Sequence, residues 1–450
     1  MFNRPRAILI LLAFLAFGNA IRGSFHFDDY SLFATNPPLS DLLRLETTRP
    51  LTWLTFWINR QLAGDAPLSW HLIDFGLHLT NVLLLFACLK RIATNRTALV
   101  AAAIFAIHPI QTEAVAYVFA RSTLLMTLFC LLAWRDWLTT HHRRAILWFA
   151  LALLAKEECV FFPIFLLLFD RKRREAYLML ALSLLAGLRT IAATQIVQGS
   201  GAGLTAGISP AQYAIAQGAV IWRYLGQIAI PLNFTIDPDL HPPFWLGILG
   251  WVALIAAFRY GSTYVRGGIV LLLASSSIFP AADLAADRRM YLPLIAFALA
   301  IAEKLPPRLA PILLLLIPLS IARTEVWRTE RNLWEDAVAK APAKTRPRIQ
   351  LARALPPDHA LNQLTADDPD TQAERGRIYL QTNRAAMALA EFGKVAAARP
   401  KDAQAWNNLG VAFAQLEQSA PARQNFRKAL QLDPCNKDAR KNLGLPACGR

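Results

Sequence analysis

The chain has 450 residues, with 47 Lys and Arg against 31 Asp and Glu, a formal net charge of +16 and 55% apolar residues. That apolar share is above what a soluble globular domain carries. A nucleic-acid binder needs its basic residues on one face of a soluble domain; here they sit in short clusters between apolar runs, which excludes that class.

The predicted elements are helical membrane spans near Ala7 to Ile21, Trp70 to Leu89, Ala98 to Pro109, Thr123 to Leu138, Ile146 to Ala155 and Val160 to Phe169. Tyr177 to Ile191, Phe244 to Phe258, Gly268 to Ala282, Tyr291 to Ala302 and Leu309 to Ala322 bring the expected number to about eleven. Several runs are shorter than a bilayer and must be completed by flanking polar residues. Tyr213 to Leu232 carries Arg223 at its centre and Pro231 at its end, so it is expected to lie at the interface or re-enter. A cleaved signal peptide is the alternative for the first run, which ends in the small residues of Phe17-Gly18-Asn19-Ala20. Basic residues recur in alternate short loops: Arg4 and Arg6; Lys90, Arg91 and Arg96; Arg135, Arg143 and Arg144; Arg171 to Arg174; Arg259 and Arg266; Lys304 and Arg308. The positive-inside rule places these loops and the N-terminus on the cytoplasmic side, and everything after Ala322 outside.

After Ala322 the composition turns charged, Ala-rich and Pro-punctuated, and a 34-residue period emerges. Trp406, Leu409, Gly410, Phe413, Ala422, Phe426, Ala429 and Pro434 take tetratricopeptide-repeat positions, with Gly376, Tyr379, Ala388, Phe392 and Pro400 one period earlier. Small residues let paired helices approach and aromatic residues fill the groove between them. The expected organisation is a membrane domain over 1–322, a linker with a degenerate repeat over 323–370, and tetratricopeptide repeats over 371–450, all α-helical. Such repeats hold peptides or extended chains, or serve as a spacer. Cys88, Cys130 and Cys159 fall in spans; Cys435 and Cys448 are the one pair open to a disulfide, although the helix between them is expected to hold them apart.

Ionisable residues gather at the outward ends of the spans, where burial is costly unless they are paired or working. Phe25-His26-Phe27-Asp28-Asp29-Tyr30 opens a long outward loop that runs through Arg49-Pro50-Leu51. Neighbouring side chains in extended backbone point apart, so one of Asp28 and Asp29 is expected to face a reacting hydroxyl while the other holds a cation or orients the loop. His71, Asp74, His78 and Asn81 share one helix face, as a metal site or as a polar seam between helices. His108 and Glu113, Arg121, Lys156-Glu157-Glu158 and Asp287-Arg288-Arg289 complete the outward set, for which a cavity is the better explanation than isolated structural pairs.

In order along the chain stand Phe-x-Phe-Asp-Asp-Tyr, Arg-Pro-Leu, Trp-His-x5-Leu-His-Leu-x-Asn, Ile-His-Pro-x3-Glu-Ala-Val-Ala-Tyr, Leu-Ala-Lys-Glu-Glu and Asp-Arg-Arg-Met-Tyr-Leu-Pro, followed by the repeats. This succession resembles the transmembrane and tetratricopeptide repeat-containing (TMTC) family of O-mannosyltransferase-like enzymes in the glycosyltransferase C (GT-C) superfamily. The resemblance implies a polyprenyl-phosphate-linked sugar as donor, mannose being one option, transferred on the non-cytoplasmic face to a protein or glycan hydroxyl. It carries Asp28 and Asp29 over as the acidic pair of the active centre; His108, Glu113, Arg121, Lys156, Glu157 and Arg288 match family motifs without individual roles. His26 stands where a tryptophan is expected, and the repeat array is short.

The implied reaction is inverting transfer, with Asp28 or Asp29 as base and a fixed cation for the departing phosphate. Arg121, Lys156, Arg288 and Arg289 are the candidates for that cation, and a divalent metal is neither required nor excluded. His71, Asp74, His78, His108, Glu113, Glu157 and Asp287 are further outward-site candidates. The expected location is a bacterial inner membrane with periplasmic repeats open to a protein partner, and no nucleic acid. The rival readings are a non-catalytic membrane scaffold recruiting partners through the repeats, and a transporter of lipid-linked sugar.

Overall fold

The computed structural model describes residues 4–34, 48–169, 174–196, 208–276, 279–281 and 283–448. The basic run Arg171 to Arg173, most of the loop between Asp28 and Arg49, and part of the expected span Gly268 to Ala282 lie outside the described residues. Among the described residues the chain is helical, without a β-strand, and divides into two compact units, Met1–Leu333 and Trp334–Arg450.

Among the described residues of the first unit, five helical segments are long and apolar enough to cross a membrane: Arg4–Arg22, Pro67–Leu89, Val118–Leu138, Arg174–Ala193 and Pro307–Val326. Asn95–Ile107 and Pro109–Ala116 form a sixth only as one bent pair, turned by 52°. The bend has a plain cause: Pro109 has no N–H to donate and forces His108 into extended backbone, at ψ 129°. The expected eleven spans are therefore not established by length. Phe244–Tyr260 and Thr263–Leu273 are apolar but shorter, and His142–Ala155 and Phe162–Leu167 are shorter still. Exposed apolar side chains line the outer helices, among them Leu184, Leu188, Trp245, Leu249, Val252 and Ile255. That surface suits a lipid solvent, not water.

Pro210–Ala229, the segment expected at the interface, is a 20-residue helix opened by a Ser209/Gln212 capping box. It lies tightly on Phe244–Tyr260, since a Cβ on Gly218 would stand 2.1 Å from the Gly247 carbonyl oxygen. Pro50–Ala63 is a helix that the apolar pattern did not predict. It buries Phe56 against Trp70.

The second unit stacks helix pairs. Pro369–Gln381 pairs with Ala385–Ala398, and Ala403–Gln415 with Ser419–Leu432. The two glycines of the repeat do the same job 34 residues apart: a Cβ on Gly376 would stand 2.7 Å from the Phe392 ring, and one on Gly410 2.6 Å from the Phe426 ring. Gly410→Ala is expected to destabilise this unit by about 1–3 kcal/mol through overpacking. Thermal unfolding of the full chain checks it, with Gly393→Ala, whose Cβ meets nothing within 4 Å in helix Ala385–Ala398, as the comparison that shows the helix-propensity gain alone.

Cys435 and Cys448 form a disulfide, against the expectation from sequence. The intervening helix Lys437–Asn442 is only six residues long, and the chain reverses at Gly444, φ 70°. Arg440 Nε then bonds the Pro446 carbonyl and brings the tail back.

Candidate active site

The acidic loop is built by local geometry. Phe27–Tyr30 is one turn of 3-10 helix, and Asp29 at its third position accepts the His26 N–H at 2.9 Å. The other Asp29 oxygen accepts the Phe119 N–H at 2.7 Å. Asp29 is fully buried, and burial pushes its carboxyl well above the usual range while these two donors oppose that rise. It ties the loop to the helix start at Val118. Asp28 points elsewhere and is half-buried; Tyr117 Oη donates to its carboxylate at 2.9 Å and accepts the Asp28 N–H at 3.2 Å. The two aspartates thus have different surroundings, one enclosed and one reachable.

His26 is also buried, and its Nε2 lies 2.7 Å from the Trp327 carbonyl, which can only accept, so Nε2 carries the proton. Nδ1 has no partner. Burial lowers the ring's pKa from 6.5 to about 4. Between those values the unfolded ring takes up a proton that the folded ring refuses, so stability present above pH 6.5 is lost as pH falls toward 4. The loss is expected to be on the order of 3 kcal/mol. Melting curves across pH 4–7 check it, with His26→Gln, an N–H donor that does not titrate, removing His26's share of the dependence.

A charged group lies beside this loop. Arg49 opens Pro50–Ala63 in left-handed backbone, φ 62°, and grips Glu157 through Nε at 3.1 Å and Nη2 at 2.6 Å. Burial alone would raise the Glu157 carboxyl; Arg49 more than offsets this and holds it at about 2. Lys156 Nζ pairs with Glu158 at 2.8 Å and donates to Thr123 at 2.9 Å. Burial lowers the Lys156 amine to about 8, against the pull of Glu158. Arg288 pairs with Glu113 through its side chain and donates its backbone N–H to the same carboxylate at 3.0 Å. Asp287 faces Arg223 at 3.7 Å. Arg288 links the parts, being within electrostatic reach of Tyr117, Arg49 and Lys156. The side chains of Arg49 and Arg288 keep 28% and 27% of their surface exposed, so both can still meet an anion.

The remaining predicted residues have partners of their own, with Arg289 also within electrostatic reach of Arg288 and Glu158. Arg121 is fully enclosed, bonded to Asp74 at 2.5 Å, to Asn59 at 3.0 Å and to the Trp70 carbonyl at 3.1 Å, with its guanidinium over the Phe56 ring. It fastens three helices together from inside. Arg289 is nearly buried and donates to Tyr213 and to the Asp283 and Leu284 carbonyls. His71 bonds the Ser24 carbonyl, His78 bonds Tyr291 and the Ala106 carbonyl, and Asn81 bonds the Leu124 carbonyl. With Asp74 on Arg121, the shared face is a polar seam, in which His78 and Asn81 meet at the Tyr291 hydroxyl while His71 and Asp74 go to other partners. His108 caps the bend, accepting the Ile110 N–H and bonding the Ile228 carbonyl. Among the described residues no three His, Cys, Asp or Glu converge as a metal site.

Sequence reasoning passed over Arg49 and Tyr117 as site residues, although both stand in the motifs Arg-Pro-Leu and Ala-Val-Ala-Tyr. It gave no signal for Trp327 or Glu330.

A tetratricopeptide-repeat model matches residues 403–434. A protein O-mannosyl-transferase of Caenorhabditis elegans, F38B6.6, is 25% identical over 417 residues, 78% of this chain and 60% of that protein. Mouse protein O-mannosyl-transferase TMTC1 is 33% identical over 149 residues, 28% of this chain and 16% of that protein. Human TMTC3 is 36% identical over 118 residues, covering 26% of this chain and 13% of that protein. This chain is TMTC-like. The matches span from about three-fifths down to about an eighth of these TMTC relatives' own length.

Proposed function

We propose that the chain is a membrane glycosyltransferase that moves a sugar from a polyprenyl-phosphate donor to a hydroxyl on the non-cytoplasmic face. The observation that carries this reading is the division of labour in the acidic pair: Asp28 is reachable and oriented by Tyr117, which lies within electrostatic reach of the partly exposed Arg288, and Arg288 within reach of Arg49. The printed names of the relatives, protein O-mannosyl-transferases, support mannose as the sugar and a protein hydroxyl as the acceptor.

In this reading Asp28 takes the acceptor's proton as its oxygen attacks the anomeric carbon. The new carbon–oxygen bond forms on the face opposite the phosphate. The bond from the anomeric carbon to the phosphate oxygen breaks, and that oxygen leaves with the electron pair on polyprenyl phosphate, inverting the centre. Arg288 and Arg49 stand ready for the growing negative charge; each guanidinium already leans on a carboxylate that fixes its direction. Lys156 and Arg289, both buried, lie within electrostatic reach of Arg288 and add to the positive field there. The Cys435–Cys448 disulfide supports placing the repeats in an oxidising compartment, such as a bacterial periplasm. There the repeats would hold the acceptor or another protein partner.

The test compares lipid-linked sugar pools and surface glycans in cells expressing the wild type or Asp28→Asn at equal membrane levels. Loss of one glycosylated product with accumulation of its lipid donor is the expected result. Unchanged glycans and lipid pools would refute the reading and favour a membrane scaffold.

A further inference from the structure

The acidic loop is strapped to the segment that follows the last membrane-spanning helix. Ser24 N–H bonds the Arg328 carbonyl at 3.1 Å, His26 Nε2 the Trp327 carbonyl at 2.7 Å, and Phe27 N–H the Glu330 Oε1 at 3.1 Å. The Trp327 ring also lies 5.5 Å from the Tyr117 ring, the group that orients Asp28. Phe27 itself has φ 39°, a left-handed conformation unfavourable for a bulky residue. Such backbone persists only where its surroundings hold it. Two of these ties go to backbone carbonyls, which any residue at 327 or 328 supplies. The third depends on one side chain, the half-buried Glu330 at the start of helix Glu330–Lys340.

We propose that Glu330 is a positioning residue for Asp28: by accepting the Phe27 N–H it holds the strained turn that aims the neighbouring carboxylate at the acceptor. Glu330 touches no substrate; it acts through the Phe27 N–H and through the Tyr30 side chain, which it also meets in the same turn. The catalytic consequence rests on the transferase reading above, whereas the effect on the loop does not.

The experiment uses the full-length protein in lipid nanodiscs, reading hydrogen exchange of the 24–31 segment together with transfer from a synthetic polyprenyl-phosphate mannose. Glu330→Ala removes the acceptor; Glu330→Asp withdraws it by one methylene and serves if the alanine variant fails to fold. Glu330→Gln keeps an acceptor oxygen. Alanine or aspartate is expected to speed exchange at Phe27 and its neighbours about tenfold, with the rest of the membrane unit unchanged. The turnover rate is expected to fall about ten- to hundredfold, with the donor KM within about twofold, because aim is lost and not binding. Glutamine is expected to stay near wild type in both. Unchanged exchange of the segment in the alanine and aspartate variants, equal loosening throughout the unit, or a glutamine variant as impaired as alanine would each overturn the proposal. Local loosening in a protein whose wild type transfers nothing would retain the strap and refute the transferase.

Discussion

Asp28→Asn is expected to lower sugar transfer by about 10²–10⁴-fold while leaving the melting temperature unchanged, the range for loss of a positioned general base. Asparagine keeps the size of the side chain and can still accept the Tyr117 hydroxyl, while the capacity to take a proton is lost. Asp29→Asn is expected to behave differently. Its carboxylate spends both oxygens on backbone N–H groups of His26 and Phe119, and an amide can present only one oxygen to them. One buried N–H then loses its acceptor, at a cost of about 1–3 kcal/mol, and the loop loosens. Assays of both variants at matched folded concentration, with thermal unfolding beside them, separate a chemical loss from a structural one. Equal activity loss and equal destabilisation in the two would contradict the assignment of separate roles.

The largest effect on stability is expected at Arg121. Arg121→Met leaves the Asp74 carboxylate in a site with no exposed surface and no cation, and breaking a buried pair on one side costs about 3–5 kcal/mol. The bonds to Asn59 and the Trp70 carbonyl go with it, and so does the guanidinium over Phe56 and Trp70. The helices Pro50–Ala63, Pro67–Leu89 and Arg121–Leu138 lose their common fastening. Pairing Arg121→Met with Asp74→Leu is expected to recover most of the loss, because an apolar pair leaves no charge stranded. Thermal unfolding in detergent of the two single variants and the double variant measures this. A single variant as stable as the wild type would show that the pair carries no net weight.

Much of the helical layout was legible because apolar runs and the 34-residue period are local properties of the chain. Trp70 to Leu89 emerged as Pro67–Leu89, and Gly376 and Gly410 meet their phenylalanines as the repeat spacing implied. What failed was whatever depended on a distant partner. Pro50–Ala63 is only 14 residues long and contains Asn59 and Arg60, so it looked like loop; its apolar side closes on Trp70, and Asn59 reaches Arg121. Arg121 sits at a span boundary in the sequence, where a surface cation was a fair expectation. The fold sinks it because Asp74 waits 47 residues earlier with two aromatic rings beside it.

Within the acidic pair, the expectation of one orienting carboxylate assumed extended backbone, whereas Phe27–Tyr30 is a turn of 3-10 helix. Which of the two orients the loop is decided by the Phe119 N–H, 90 residues away. His26 in place of the family's tryptophan has a physical reading as well: both rings offer one N–H donor, and here that donor reaches the Trp327 carbonyl. Trp327 and Glu330 themselves lie in a stretch that reads as a connection between domains. Their role exists only because the chain returns to the first loop some 300 residues later.

The central claim is that Asp28 serves transfer from a lipid-linked sugar. It is tested most directly by reconstituting the purified chain in vesicles with polyprenyl-phosphate mannose and a Ser/Thr-rich peptide, beside Asp28→Asn at equal folded amount. The account predicts mannosylated peptide with inverted anomeric configuration from the wild type and only background from the variant. Transfer by Asp28→Asn at the wild-type rate, or no transfer by the wild type from this donor, would contradict it.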